Sequence, residues 1–226
     1  MVGRVRQITR FVTGVSQRVR AGALALALPL LLSGCYLPTD FDVLIQVTGD
    51  GRYVLAYKGQ LTSVGLAKSL RSGNSTEKES ADKIRKVQLG LLKRDSGFKS
   101  VEYEGQGRYL VDYESMGRVQ KHRFVTFVDG SSKFLTIKYL EKEGTVTVSG
   151  EKMKDQFVRE LINMGLQPSG VLRVRTDAKV LEHNADNVRG KRTREYTWDI
   201  KGFRGPAPKF VMELRPTVAP TIGAGP

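Results

Sequence analysis

One cysteine, two histidines and one tryptophan leave this 226-residue chain short of the side chains that build most reactive and metal-bearing sites. A lone thiol cannot close an internal disulfide, so a disulfide scaffold is excluded. The histidines, His122 in a predicted strand and His183 in a predicted turn, have no second histidine near either and no cysteine to complete a tetrahedral metal set. No Gly-x-Ser-x-Gly elbow occurs. Gly105-Gln106-Gly107 is followed by strand-like alternation from Arg108, not by the helix that a phosphate loop needs. No repeat of fixed period is present, and no apolar run approaches the roughly 20 residues of a permanent membrane span. These absences argue against catalysis, and the expectation is a non-enzyme without cofactor or metal.

Acidic residues are also missing from the first 34 positions, which carry Arg4, Arg6, Arg10, Arg18 and Arg20. An uncharged stretch over 21–32 follows, long enough for the hydrophobic region of a secretion signal and too short to anchor a helix across a bilayer. It ends at Leu32-Ser33-Gly34-Cys35, a spacing that resembles the lipobox of bacterial lipoproteins. Small side chains at 33 and 34 let the backbone enter a peptidase, and the Cys35 thiol can take a diacylglyceryl group. The reading is cleavage between Gly34 and Cys35, acylation of Cys35, and attachment to a membrane through that lipid. More than one acyl chain suffices for stable anchoring. Residues 1–34 are then a signal peptide, 35–214 a lipid-anchored domain, and 215–226, rich in proline and glycine, a tail unable to pack. The residue after the cysteine is Tyr36, not the aspartate that tends to retain lipoproteins in an inner membrane. In a diderm cell the expected location is the outer membrane, facing the periplasm.

Removing the five arginines of the signal leaves 32 bases against 23 acids, a net charge of +9. Outside the cytoplasm the abundant polyanions are lipid head groups and envelope polymers, not nucleic acid, so the charge points to those partners.

Beyond Cys35 the dominant period is two. Segments 42–47 and 53–58 flank Gly49-Asp50-Gly51 and read as a hairpin. Segments 98–103, 108–113, 123–128, 133–140 and 145–148 are rich in aromatic and β-branched residues. They are separated by Gly105-Gln106-Gly107, Ser115-Met116-Gly117, Asp129-Gly130 and Gly144, which predicts an antiparallel meander. Strands return at 170–176, 193–201 and 208–214. Two stretches follow a helical period. In 76–94, Thr76 and Glu79 offer a capping box and Ala81, Ile84, Val87, Gln88 and Leu91 share a face; in 151–164, Met153, Phe157, Leu161 and Met164, widened by Val158 and Ile162, do so before Gly165 and Pro168. Segment 61–70 leans to helix. The class is α+β: a largely antiparallel sheet of about 7–9 strands with two or three helices.

Three blocks, Val171-Leu172-Arg173-Val174, then Ala178-Lys179-Val180-Leu181-Glu182-His183-Asn184-Ala185-Asp186, then Tyr196-Thr197-Trp198-Asp199-Ile200, are similar to the end of the LppM-like family of envelope lipoproteins. The resemblance implies a compact α+β domain, closed by a tryptophan-bearing strand and linked to lipid binding. The chain departs from the family pattern at Leu166-Gln167-Pro168-Ser169-Gly170, where members often carry a simpler Pro-Gly before the valine.

Five further groups bear on function. Arg189, Lys191, Arg192 and Arg194 place four cations in six residues, in a predicted loop suited to clamping phosphate or carboxylate. Lys83, Arg85, Lys86, Lys93 and Arg94 give the first predicted helix a basic outer side, which suits a solvated face or an anionic leaflet. Trp198, Tyr196 and Phe203 read as core anchors more than as a ligand platform. His183, Asn184 and Asp186 read as a polar turn bonding its own backbone, and Glu102, Glu104, Asp112 and Glu114 as a solvated sheet face rather than a glycosidase pair. The functional expectation is a lipid-anchored domain that binds a lipid or other anionic or amphiphilic envelope component. The alternatives are a structural or assembly subunit holding a protein partner and, behind it, a cell-wall hydrolase. The acylation chemistry yields a direct expectation: Cys35→Ser accumulates as unprocessed precursor and takes up no tagged fatty acid in metabolic labelling. Normal maturation of that variant would refute the lipobox reading.

Overall fold

Alternation of apolar and polar residues commits most of the chain to strands with one buried face, and each such face must find another layer to cover it. The computed structural model describes residues 36–127, 134–150 and 153–215. The signal segment, Gly34 and Cys35, the Asp129-Gly130 turn and the residues from 216 onward lie outside the described part.

Strands β1 (Tyr36–Val47) and β2 (Arg52–Ser63) form the first hairpin. They are followed by α1 (Val64–Arg71) and α2 (Ala81–Arg94), then by β3 (Phe98–Gly105) and β4 (Arg108–Arg118). Next come β5 (Phe124–Phe127), β6 (Leu135–Leu140), β7 (Thr145–Gly150) and α3 (Asp155–Asn163). The chain closes with β8 (Ser169–Thr176), β9 (Lys179–His183), β10 (Asn187–Arg189), β11 (Arg194–Lys201) and β12 (Lys209–Glu213). The strands make a seven-stranded sheet, β10-β11-β8-β1-β2-β4-β3, and a five-stranded sheet, β5-β6-β7-β12-β9. All pairings are antiparallel except β1 with β8. The α+β class is as expected, with twelve strands described in two sheets.

The predicted meander divides between these sheets. β3 and β4 stay in the first, and the chain leaves at Val119, which is buried and bonds through its N–H to the Gly51 carbonyl. His122 therefore sits in the crossing turn, not in a strand. Ser115-Met116-Gly117, expected to separate strands, runs inside β4 opposite Leu55, Val54 and Tyr53. Gly117 serves close approach there: a Cβ would lie 3.1 Å from both the Tyr53 ring and the His122 ring. Strands β9 and β10 went unread because they are short and largely exposed, leaving no alternation to see.

Aromatic side chains join the layers. Tyr57 of the first sheet stacks on Phe127 of the second with ring centroids 4.3 Å apart, and Tyr113 and Phe98 close on the same Phe127. At the other side Tyr196 and Trp198 meet Phe210 edge-on. Burial pushes the Tyr57 phenol well above its usual range, and its O–H donates to the Gln60 carbonyl at 2.7 Å. The outer face of the first sheet is laced with ion pairs: Arg173 with Asp42, Lys58 with Asp112, Lys99 with Glu114, and Arg175 with Glu195.

The capping box forms as the sequence implies. Glu79 accepts from the Thr76 N–H at 2.7 Å, and Thr76 Oγ1 accepts from the Glu79 N–H at 3.2 Å. The bonded turn precedes the helix proper, which starts at Ala81. Gln88 lies on the inner face because its amide donates to the Val101 carbonyl at 2.7 Å. Segment 61–70 splits, β2 running to Ser63 before α1 begins. Helix α3 and α1 bury Leu161, Val64 and Ala67 against Leu37 and Leu166, and Gly165 ends α3 at φ +66°. Arg215 is held by its N–H on the Gly49 carbonyl and by an ion pair to Asp177.

Backbone geometry at β1 yields a stability test. Gly170 has φ +150°, and a Cβ there would stand 2.3 Å from the Phe41 carbonyl oxygen. Gly170→Ala should cost roughly 1–3 kcal/mol through forced displacement, read as a lower denaturant midpoint. Gly90, inside α2 with nothing within 4 Å of a Cβ, is the contrast: Gly90→Ala should stabilise by about 0.5–1 kcal/mol. Equal effects of the two variants would contradict the register.

Candidate functional site

After β8 the chain crosses between the sheets three times, and two of these crossings meet at one corner: from β9 to β10 through 184–186, and from β11 to β12 through 202–208. A β-strand that changes sheet must expose backbone donors and acceptors at the corner, and these need partners. Asn184 supplies them for both crossings. Its Oδ1 accepts from the Trp198 indole N–H and from the Lys209 N–H, each at 2.8 Å; its Nδ2 donates to the Ala207 carbonyl at 2.9 Å. Because an indole nitrogen only donates, the amide oxygen must face Trp198. The Asp186 carboxylate accepts from the Asp199 N–H at 2.8 Å. Asn184 and Asp186 thus bond neighbouring strands and not their own turn, which corrects the sequence reading. His183 ends β9, edge-on to Tyr196 at 4.8 Å, with its Nδ1 accepting from the Ala185 N–H.

The two crossings, α3 and the inner face of the first sheet border a cleft of about 630 Å³. Phe41, Leu172, Trp198 and Ile200 form its sheet wall, while Phe134 and Phe203 flank it. Trp198 is 3% exposed and Tyr196 2%. Both are core residues, as expected, yet Trp198 also faces the cleft. The polar rim carries Asp155, Asp186, Asp199, Lys201 and Arg204. Lys201 is spent on Asp199 at 2.6 Å, which holds its ammonium pKa up. Arg204 is exposed and makes no ion pair among the described residues. The cleft thus presents an apolar wall and, at its rim, the Arg204 guanidinium together with the Asp155 and Asp186 carboxylates.

The four cations of the predicted clamp do not reach this cleft. Arg189 ends β10, Arg194 opens β11, and Lys191 and Arg192 lie on the turn between, where Gly190 adopts φ +93°. All four are exposed without an ion pair among the described residues, while the adjacent Glu195 is taken by Arg175. Register fixes their position: Arg194 stands beside Thr176, and Gln46, near the end of β1, stands beside Arg175. Tyr36 begins the same β1, 12 residues long, so the basic turn lies at the opposite end of the sheet, about 35 Å away at the usual rise per strand residue. The cleft is at the Tyr36 end, with Leu37 in its wall and Lys201 beside Ser169.

The grouped carboxylates resolve as a solvated face: Glu104 accepts from Gln60 Nε2 at 2.8 Å, and Asp112 and Glu114 pair with lysines. Among the described residues no three His, Cys, Asp or Glu gather as a metal site, and no helix is long and apolar enough to cross a membrane. Sequence reasoning missed Arg204 and the hub role of Asn184. The Gly202-Phe203-Arg204-Gly205-Pro206 run, a glycine- and proline-bearing loop that carries a large aromatic, was the available signal.

No protein-family model and no curated protein matches the chain. Among solved structures it is similar to the folded domain of Mycobacterium tuberculosis LppM, determined by NMR. That match has 11% identity and a TM-score of 0.40, and covers 80% of this chain and 93% of that one.

Removing the Asn184 amide leaves the part-buried Trp198 indole N–H without its partner, while the Lys209 N–H and Ala207 carbonyl turn to water, so Asn184→Ala should lose roughly 1–3 kcal/mol. Trp198 is the sole tryptophan, and the variant should show altered native emission together with a lower unfolding midpoint. An unchanged midpoint would remove Asn184 as the brace of the cleft.

Proposed function

We propose that this protein is a non-enzymatic, lipid-anchored lipoprotein of the cell envelope that binds an amphiphile in the cleft beneath the β11–β12 crossing. The observation that carries the reading is the cleft itself: an apolar wall of aromatic and aliphatic side chains, about 630 Å³ in volume, with Arg204 available at its rim. That volume lies within the usual range of small-molecule sites. The anchor reading rests on the lipobox at Leu32-Ser33-Gly34-Cys35. Since Tyr36 opens β1 directly, acyl chains on Cys35 would tether the domain close to the cleft and leave Arg189, Lys191, Arg192 and Arg194 at the distal end. There they face envelope polymer or an opposing anionic surface, not the tethering leaflet. With Tyr36 after the cysteine, that leaflet is the outer membrane's periplasmic one in a diderm cell.

Protein purified from its own membrane should release a stoichiometric lipid on organic extraction, identified by mass spectrometry. After delipidation, lysophosphatidylglycerol should shift Trp198 emission saturably, and Arg204→Gln should weaken that binding roughly tenfold or more, the usual worth of a charge-assisted bond. Absence of both a co-purified lipid and an emission shift would sink the proposal.

A further inference from the structure

Helix α2 is covered on one side only. Leu91 is buried and Ile84 and Val87 pack on the core, yet Leu89 and Leu92 stand 42% and 38% exposed. Placed at 3.6 residues per turn, Arg85, Lys86, Leu89, Leu92 and Lys93 fall within about 120° of one another, opposite Leu91. All five are exposed. Arg85, Lys86 and Lys93, with Lys83 beside them, form no ion pair among the described residues. Asp82, in the first turn, is the acid on that side. Two leucines framed by cations fit a helix lying in the plane of an anionic interface, apolar side chains in the acyl boundary and ammonium and guanidinium groups at phosphate level.

The position of α2 in the fold supports the same partner. Tyr36 pairs with Ser63, whose N–H donates to the Gly107 carbonyl, and the neighbouring Gln106 N–H donates to Glu77 in the turn before α2. Tyr109, buried in the same cluster as Tyr36, donates through its Oη to the Ile84 carbonyl at 3.5 Å, and the Arg94 charge acts on the Tyr36 phenol. The helix therefore lies beside the residue bonded to Cys35, while the free cations of the β10–β11 turn are at the far end.

We infer that α2 docks on the anionic phospholipid leaflet that holds the acyl chains of Cys35, through Leu89 and Leu92 with Arg85, Lys86 and Lys93. This rests on the acylation reading above, and it adds a second, orienting contact to the tether. On a domain so held the leaflet is already at high effective concentration, so even a weak interfacial helix stays engaged.

The test uses the full chain, processed in its own membrane and reconstituted into phosphatidylethanolamine–phosphatidylglycerol vesicles. Cys35 is the sole cysteine and is blocked when acylated, so Leu89→Cys or Leu92→Cys gives one site for a maleimide fluorophore. The expected result is strong quenching by lipid-borne bromine and several-fold protection from aqueous iodide, whereas Val188→Cys, 42% exposed in β10, shows the reverse. Combining Leu89→Cys with Arg85→Gln, Lys86→Gln and Lys93→Gln should return the probe to the Val188 pattern. Label uptake by the parent chain would overturn the acylation on which the orientation rests. An unlabelled parent whose residue-89 probe remains fully open to iodide would overturn the docking alone, and so would protection from iodide without lipid quenching, which would mean that a protein covers the helix.

Discussion

Strand β1 lies between β2 and β8, antiparallel to one and parallel to the other, and the remaining architecture hangs on that double pairing. The constraint is steric at one place. A bulge after Thr39 turns Asp40 to φ +48° and drives Phe41 inward, where its backbone passes so close to Gly59 and Gly170 that a Cβ on either would collide with it. Ser169 secures the bend by donating to the Asp40 carboxylate at 2.9 Å and accepting from the Asp40 N–H at 3.1 Å. Two glycines on two different strands thus let one aromatic ring enter the core, where it meets Tyr57 and Phe134.

Much of the polarity of the molecule follows from this pairing. With β8 parallel to β1, β11 runs back toward the Tyr36 end and finishes there, delivering Lys201 to Phe203 and Arg204 beside Leu37. The same antiparallel return carries the turn between β10 and β11 to the other end. One end of the sheet then holds Tyr36, the apolar cleft and α2; the other holds four cations that make no ion pair among the described residues. The two ends of the sheet therefore present different chemistry, one apolar and partly enclosed, the other cationic and exposed.

Legibility in the sequence tracked the number of residues over which a pattern could repeat. The first hairpin, α2 with its capping box, α3 with Gly165, and the strands 170–176 and 193–201 each carry a full period of alternation or helical spacing, so local physics sufficed. β9 and β10 are three to five residues long and mostly exposed, and no periodicity survives that. Glycine misled at 115–117 because Gly117 yields space to Tyr53 and His122 in place of turning the chain. Asn184 read as a turn residue because its partners, Trp198, Ala207 and Lys209, are 14 to 25 positions away.

By itself the sequence determined the strand-rich α+β class, the excess of cations and the scarcity of histidine and cysteine for reactive chemistry. These depend on composition and on neighbours a few residues apart. Only the tertiary structure decided that the strands divide into two sheets, that Trp198 is both core and cleft wall, that Arg204 shares a rim with Asp186, and that the basic turn and Tyr36 stand at opposite ends. The reason is that pairing register and sheet membership depend on which distant faces bury one another, and residues such as Phe41 and Gly170, 129 apart in the chain, acquire a relation only when the chain closes.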